Sequence, residues 1–304
     1  MANTDVSGCA KVFAPDAMPD DAGVYRGIDR FEFEQQTLIL GDSFAWLASA
    51  QRESIHAIIT DPRTQLREML SPDALTRALS KAERERVFDS MCAWARATLP
   101  VLRPGAHVFL ASTPTLSPTV SMALEEAGLE RRGEIVRITG VQTGSIHEAA
   151  VAGQTLDESP GRCWEAWPLF RRPLEKGATV AVNLRKWQAG ALRRISSAQP
   201  FADVVVDEPL AAEMASSDCV PQEFLRRLVR AALPLREGLI LDPFAGAGDV
   251  LAACAHESVN AIGLESSPEL FRLAKLTIPM RAEIDEAAAV RMKQAALTLP
   301  GLSL

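Results

Sequence analysis

The sequence predicts an α/β chain built on a mostly parallel, doubly wound sheet. Three observations predict it. Four short apolar runs each stop on an acidic residue, at Asp42, Asp61, Asp242 and Glu265. Helical patterns separate the runs. A glycine-rich turn, Phe244-Ala245-Gly246-Ala247-Gly248, joins one run to a helix opening at Val250. In parallel α/β sheets ligands gather beyond the carboxyl ends of the strands, so the four acids are expected on one rim. One acid after a strand usually caps a helix or shapes a turn, but four together point to a shared ligand site.

Residues 1–36 read as an N-terminal arm, small and polar at first and extended from Phe31. Residues 37–138 form the first half. Thr37-Leu38-Ile39-Leu40 is a strand ending at Gly41-Asp42, and Ser43 is placed to cap the helix begun by Phe44, Trp46 and Leu47. Ile55 to Thr60 is a second strand, ending at Asp61-Pro62, and Pro62–Ser80 is a polar connection. A helix over Lys81–Leu99 turns Val87, Met91, Trp94 and Ala95 inward. Leu102-Arg103-Pro104-Gly105 reads as a turn, Ala106–Ala111 as a strand, and Ser117-Pro118 as the start of a helix closing at Gly128. A strand follows over Leu129–Ile138.

Residues 139–218 are a variable segment, with 139–160 expected as a surface loop. Its centre is basic. Across 161–194, eight lysines and arginines stand against Glu165 and Glu175, a local net of +6 in a chain whose net charge is −7. Interleaved Trp164, Trp167, Phe170 and Trp187 suit either stacking on exposed bases or core anchoring under a basic surface. Residues 200–218 are acidic and read as an irregular connection. Residues 219–304 are the last unit: a helix after Pro221 with Phe224, Leu225, Leu228, Val229 and Ala232 as its apolar stripe, the strand Leu239–Asp242, the glycine turn, the strand Asn260–Leu264, and a short helix beyond Pro279. Glu265 lies 23 residues after Asp242, near the spacing at which a second-strand carboxylate reaches ribose hydroxyls.

No basic stretch followed by a long apolar run opens the chain, and no run approaches membrane-spanning length. A cytoplasmic protein without membrane contact is expected. Five scattered cysteines form no CxxC pair, which argues against structural zinc or a disulfide framework.

The Asp242-Pro243-Phe244-Ala245-Gly246-Ala247-Gly248 turn with its Gly263-Leu264-Glu265 strand, preceded in the chain by a strand ending Asp61-Pro62, resembles the S-adenosylmethionine-dependent amino-methyltransferases of DNA. The order, catalytic half before cofactor half, is similar to the β-class. GDSFAWL, LRPGAHVFLAS, CWEAWPLFRRPLE, NLRKWQAGALRR and PQEFLRRLV extend the resemblance over about residues 37–279. It implies a Rossmann-like methyltransferase sheet with a basic insertion between its halves, S-adenosylmethionine as cofactor, and DNA as partner. The product is N4-methylcytosine or N6-methyladenine, typical of restriction-modification methylation, and a homodimer is compatible with it. Asp61 and the Pro62 carbonyl would accept the two N–H bonds of the target amine, raising electron density on nitrogen as it attacks. Asp42, Ser43, Asp242, Phe244, Gly246, Gly248 and Glu265 would surround the cofactor. Arg171, Arg172, Arg185, Lys186, Trp187, Arg193 and Arg194 would face nucleic acid. No metal is expected.

Four features depart from the pattern. Arg63 stands where a second proline belongs, and Thr64 where a base-stacking aromatic belongs. Asp249 replaces a threonine beside the expected methionine carboxylate, and Ser217-Asp218-Cys219-Val220-Pro221 lacks the lysine that could offset it. These departures motivate two rivals to a DNA methyltransferase. One is a catalytically silent protein of this fold that binds DNA or a protein partner, and the other is an amino-methyltransferase with a non-DNA acceptor.

Overall fold

The computed structural model describes residues 29–71, 78–143, 148–151, 154–157, 162–206 and 220–283. A hairpin comes first: β1 (Arg30–Phe33) pairs antiparallel with β2 (Gln36–Leu40), turning at Glu34 with φ 51°. Then come α1 (Ser43–Ser49), β3 (Ile55–Thr60), α2 (Arg63–Glu68), α3 (Lys81–Thr98), β4 (Leu102–Leu110), α4 (Ser117–Glu126) and β5 (Glu130–Thr143). After β6 (Glu148–Val151) and β7 (Gln154–Asp157) follow β8 (Arg162–Arg171), α5 (Val180–Trp187) and β9 (Val204–Val206). The chain continues as α6 (Gln222–Ala232), β10 (Leu239–Asp242), α7 (Asp249–His256), β11 (Asn260–Glu265) and α8 (Pro268–Glu283).

Nine strands make one sheet in the order β1-β2-β11-β10-β3-β4-β8-β5-β9. β2, β11, β10, β3 and β4 run parallel, and β8 lies antiparallel between β4 and β5. This is the mostly parallel α/β sheet that the sequence predicts. All six residues of β3 are buried, as a central strand covered on both faces requires, and this is why Ile55–Thr60 reads as a mostly apolar run with no alternation. From β10 the chain winds one way to β11, and from β3 it winds the other way to β4. The crevice between β10 and β3 is therefore the topological switch point. On one face α6 buries Phe224, Leu225, Leu228, Val229 and Ala232, and on the other α3 buries Val87, Met91, Trp94 and Ala95. Ser80 and Glu83 close a reciprocal capping box at the start of α3.

Several boundaries differ from expectation. Leu102–Gly105 is the first stretch of β4, not a turn. Gly105 has φ 83° because a Cβ there would lie 2.6 Å from Asn183 Nδ2 and 2.8 Å from Gly190 Cα, so close approach rather than chain reversal explains the glycine. Part of the expected 139–160 loop is strand, since β5 continues to Thr143 and β6 and β7 form an antiparallel hairpin. The 138/139 boundary thus falls inside β5, and β8 is a core strand of the main sheet, with Trp167 and Phe170 fully buried. Polar alternation hid this because β8 carries charges at both ends. α2 lies within the expected polar connection, β9 within the expected irregular one, and Pro279 is inside α8. The arm before Asp29, residues 207–219 and the chain beyond Glu283 lie outside the described residues.

Candidate active site and cofactor cavity

The four acids do stand at the carboxyl ends of four adjacent parallel strands, Asp42 after β2, Glu265 on β11, Asp242 on β10 and Asp61 after β3. They do not share one role. A cavity of about 320 Å³ opens at the switch point, lined by Asp61, Arg63, Trp167, Asp242, Gly246 and Asp249 among others. Its size falls in the range of small-molecule sites. Phe244 also lines it, tilted against Trp94 at 5.8 Å, whereas Asp42, Ser43, Gly248 and Glu265 do not. Asp42, rather than Ser43, is the N-cap of α1, accepting the Phe44 N–H at 3.2 Å. Ser43 is buried as the first residue of that helix.

The glycine turn owes its shape to Glu265. This carboxylate is 2% exposed and accepts the Gly246 N–H at 2.8 Å and the Ser267 N–H at 2.7 Å, tying the turn to the end of β11. Burial pushes its pKa up despite these bonds. Gly246 has φ 53°, and a Cβ on it would meet nothing within 4 Å, so the absent side chain leaves open space where the backbone faces the cavity. Gly248 serves packing instead. A Cβ there would collide with Ile278 Cγ1, so glycine lets α8 press onto the start of α7.

Asp242 is fully enclosed, accepting the Thr60 hydroxyl at 2.6 Å and the Phe244 N–H at 3.2 Å. Burial, with the nearby charges of Asp61 and Glu265, raises its pKa to about 7. It therefore buttresses the rim and joins β10 to β3.

Asp61 is held by a residue two positions on. Arg63 Nε donates to both carboxylate oxygens at 2.8 Å, Nη2 donates to Oδ2 at 2.5 Å, and the Arg63 main-chain N–H donates to Oδ1 at 3.1 Å. Arg63 Nη1 reaches across to Glu165 Oε1 at 2.7 Å, and Glu165 Oε2 accepts Arg137 Nη1 at 2.6 Å. Four alternating charges thus run from β3 to β8 and β5. Burial pulls the Arg63 pKa down, but Asp61 and Glu165 outweigh it and hold the guanidinium charged. Arg63 binds the carboxylate through the N–H edge of its guanidinium.

The second expected acceptor is also engaged. Pro62 has ψ 17° and its carbonyl accepts the Leu66 N–H at 2.9 Å, the first bond of α2. A residue preceding proline is driven to extended ψ, so only a non-proline at position 63 lets Pro62 turn inward like this.

The expected nucleic-acid residues lie elsewhere. β8 runs from the cavity end, where Ala166 bridges Ser112, to the opposite end, where Arg171 pairs His107 near the start of β4. Arg171 is 7% exposed and bound to Glu130, and Arg172 bonds Leu102 O and Glu53. Lys186 and the Trp187 indole N–H both bond Glu175, and the Trp187 carbonyl accepts Arg103. Arg193 follows on the same side, its N–H on Ala231 O, and Arg185 and Arg194 are exposed there. These seven residues thus gather at the amino ends of the parallel strands, the end of the sheet opposite Asp61, where Arg171, Arg172 and Lys186 are paired with carboxylates and form part of a collar. Local charge concealed the partners because Glu53 and Glu130 are distant in sequence.

Asp249 pairs with Arg281 of α8, so its charge is balanced and the expected repulsion of a nearby carboxylate is weakened. Glu165, Arg137, Trp167 and Arg281 are not among the residues that the sequence assigns to the site. The one local signal was Glu165 itself, an acid between Trp164 and Ala166-Trp167 in the mostly apolar middle of the strand.

Residues 201–276 match the family model N6_N4_Mtase, described as DNA methylase. Over that stretch the sequence is similar to DNA methylases. No curated protein matches the sequence. The fold is similar to that of TTHA0409 of Thermus thermophilus, provisionally described as a DNA modification methylase, at 20% identity over 83% of this chain and 97% of that one, with TM-score 0.56. TTHA0409 is also known in complex with S-adenosyl-L-methionine, with the same TM-score of 0.56. M1.HpyAVI is similar at 16% identity, 80% and 98% coverage and TM-score 0.54. The PvuII cytosine-N4-specific DNA methyltransferase is similar at 13% identity, 82% and 91% coverage and TM-score 0.52. Among the described residues no cluster of metal-ligating side chains occurs, and no helix is long and apolar enough to cross a membrane.

Proposed function

We propose that this chain is a methyltransferase that takes its methyl group from S-adenosylmethionine and acts on an exocyclic amine of DNA, N4 of cytosine or N6 of adenine. One observation carries the reading: Asp61 and the open backbone at Gly246 line the same cavity at the switch point. The residues fit the cofactor. Gly246 leaves room for a ligand against its main chain, and the start of α7 offers N–H groups nearby. Phe244 supplies an apolar wall, and Asp249, paired with Arg281 of α8, sets a carboxylate on the same wall as a partner for a ligand's ammonium. Bound S-adenosylmethionine supplies an electrophilic sulfonium methyl. The chain's part is to hold the acceptor nitrogen: Asp61 accepts its N–H bond as the lone pair engages, and takes up positive charge developing there. DNA as acceptor rests on the DNA methylase model match and on the TTHA0409 and PvuII likenesses; the target base would have to leave the duplex.

A silent binding protein is the second reading, favoured by the engagement of both Asp61 and the Pro62 carbonyl. Radiolabelled-methyl incorporation into mixed genomic DNA, followed by digestion to nucleosides, separates the two. Labelled N4-methylcytosine or N6-methyladenine that disappears in Asp61→Asn is the expected result. No label in either protein, with the cofactor bound, selects the silent reading.

A further inference from the structure

We propose that Arg63 is an intramolecular occupant of the acceptor subsite, and that methyl transfer waits on its withdrawal from Asp61. The inference rests on the reading of the cavity as a methyltransferase site and names a control within it. An exocyclic amine approaching Asp61 would offer N–H donors in one plane to its carboxylate. Arg63 offers the same thing: Nε–H and Nη2–H lie on the two oxygens at 2.5–2.8 Å, from inside the cavity that the amine would have to enter. The guanidinium is therefore a chemical stand-in for the amine, and amine and arginine cannot hold Asp61 together. The fold also sets up the alternative state. Glu165 is shared between Arg63 and Arg137, so when Arg63 leaves, Glu165 keeps a cation and no carboxylate but Asp61 loses its partner. Asp61 is then the one acceptor left open, which is the state the reaction needs. Position 63 also sets the Pro62 carbonyl, because Arg63 permits the inward ψ of 17° that commits that oxygen to α2. A single residue thus closes both expected acceptors.

The test compares Arg63→Ala with wild type, each with and without Thr64→Tyr, which restores a stacking aromatic. Labelled-methyl transfer to an oligonucleotide is measured alongside S-adenosylmethionine affinity by calorimetry. Withdrawal of the competitor predicts roughly a tenfold to hundredfold rise in kcat/KM for the oligonucleotide in at least one background, with cofactor affinity changed less than about threefold. The gain should vanish in Asp61→Asn/Arg63→Ala. In wild type, ¹⁵N spectra of arginine Nε–H groups should show one slowly exchanging signal that is lost in both Asp61→Asn and Arg63→Ala. Cofactor binding without any gain in either background overturns the proposal, as does the absence of a protected Nε–H. Absence of cofactor binding by all four proteins overturns the underlying reading instead, while the protected signal still reports whether the clamp exists.

Discussion

At the scale of single residues, the two aspartates at the switch point have different surroundings. Asp61 is paired with the Arg63 guanidinium, whereas Asp242 is enclosed until protonation is favourable near neutrality, with a pKa of about 7. For Asp242 the folded chain holds a proton that the unfolded chain releases above about pH 4. Its contribution is fully present below that pH and is lost as pH rises toward 7, with an upper limit of ~4 kcal/mol. Asp242→Asn can still accept from Thr60 and Phe244, so its urea midpoint is expected to fall less than the wild type's between pH 4 and 8. Glu265, shifted the same way by burial, leaves a residual slope. Parallel pH profiles in the two proteins would remove Asp242 as the titrating group. The acids themselves were legible because each ends an apolar run. Their partners were not, since Arg63 reaches Glu165 across 102 positions and Asp242 meets Thr60 across 182.

At the scale of elements, the strand-turn-helix unit of β10, the glycine turn and α7 is held from outside, by β11. Sequence spacing identified Glu265 as an acid at the right distance from Asp242, and the structure places its carboxylate on the Gly246 and Ser267 N–H groups. Removing it deprives two part-buried donors of a charged acceptor. Glu265→Ala is thus expected to lower stability by about 3 kcal/mol and to weaken S-adenosylmethionine as the turn loosens. Paired denaturation and binding titrations check this. A loss of affinity with stability unchanged would assign Glu265 to direct ribose contact instead. Helices were legible where an apolar stripe met a cap, as in α3, or followed a proline, as in α6, because burial of one face dictates the stripe. β8 was read only as part of a basic insertion since its buried middle is short and its ends are charged, and the antiparallel strand's place between β4 and β5 depends on pairings remote in sequence.

At the scale of the molecule, the cavity and the basic collar sit at opposite ends of the sheet. The local charge of +6 over 161–194 suggested a nucleic-acid face, yet Arg171, Arg172 and Lys186 are spent on Glu130, Glu53 and Glu175. Reversing Arg193 and Arg194 to glutamate is accordingly expected to leave methyl transfer to DNA within about threefold of wild type, since phosphate contacts that hold a base at Asp61 must come from the other rim. A marked loss of transfer, with a shallower salt dependence of DNA binding, would restore the collar as a footprint. The doubly wound architecture was legible from four apolar runs ending in acids, because the period of a buried parallel strand is simple. Which end of the sheet each charge occupies was not, because it depends on strand direction. The account stands most directly on the cavity between β10 and β3 being a cofactor site. Isothermal titration of the folded wild-type chain with S-adenosylmethionine measures that claim: a saturable isotherm with a stoichiometry near one per chain is the predicted result, and no saturable heat at any cofactor concentration would contradict it.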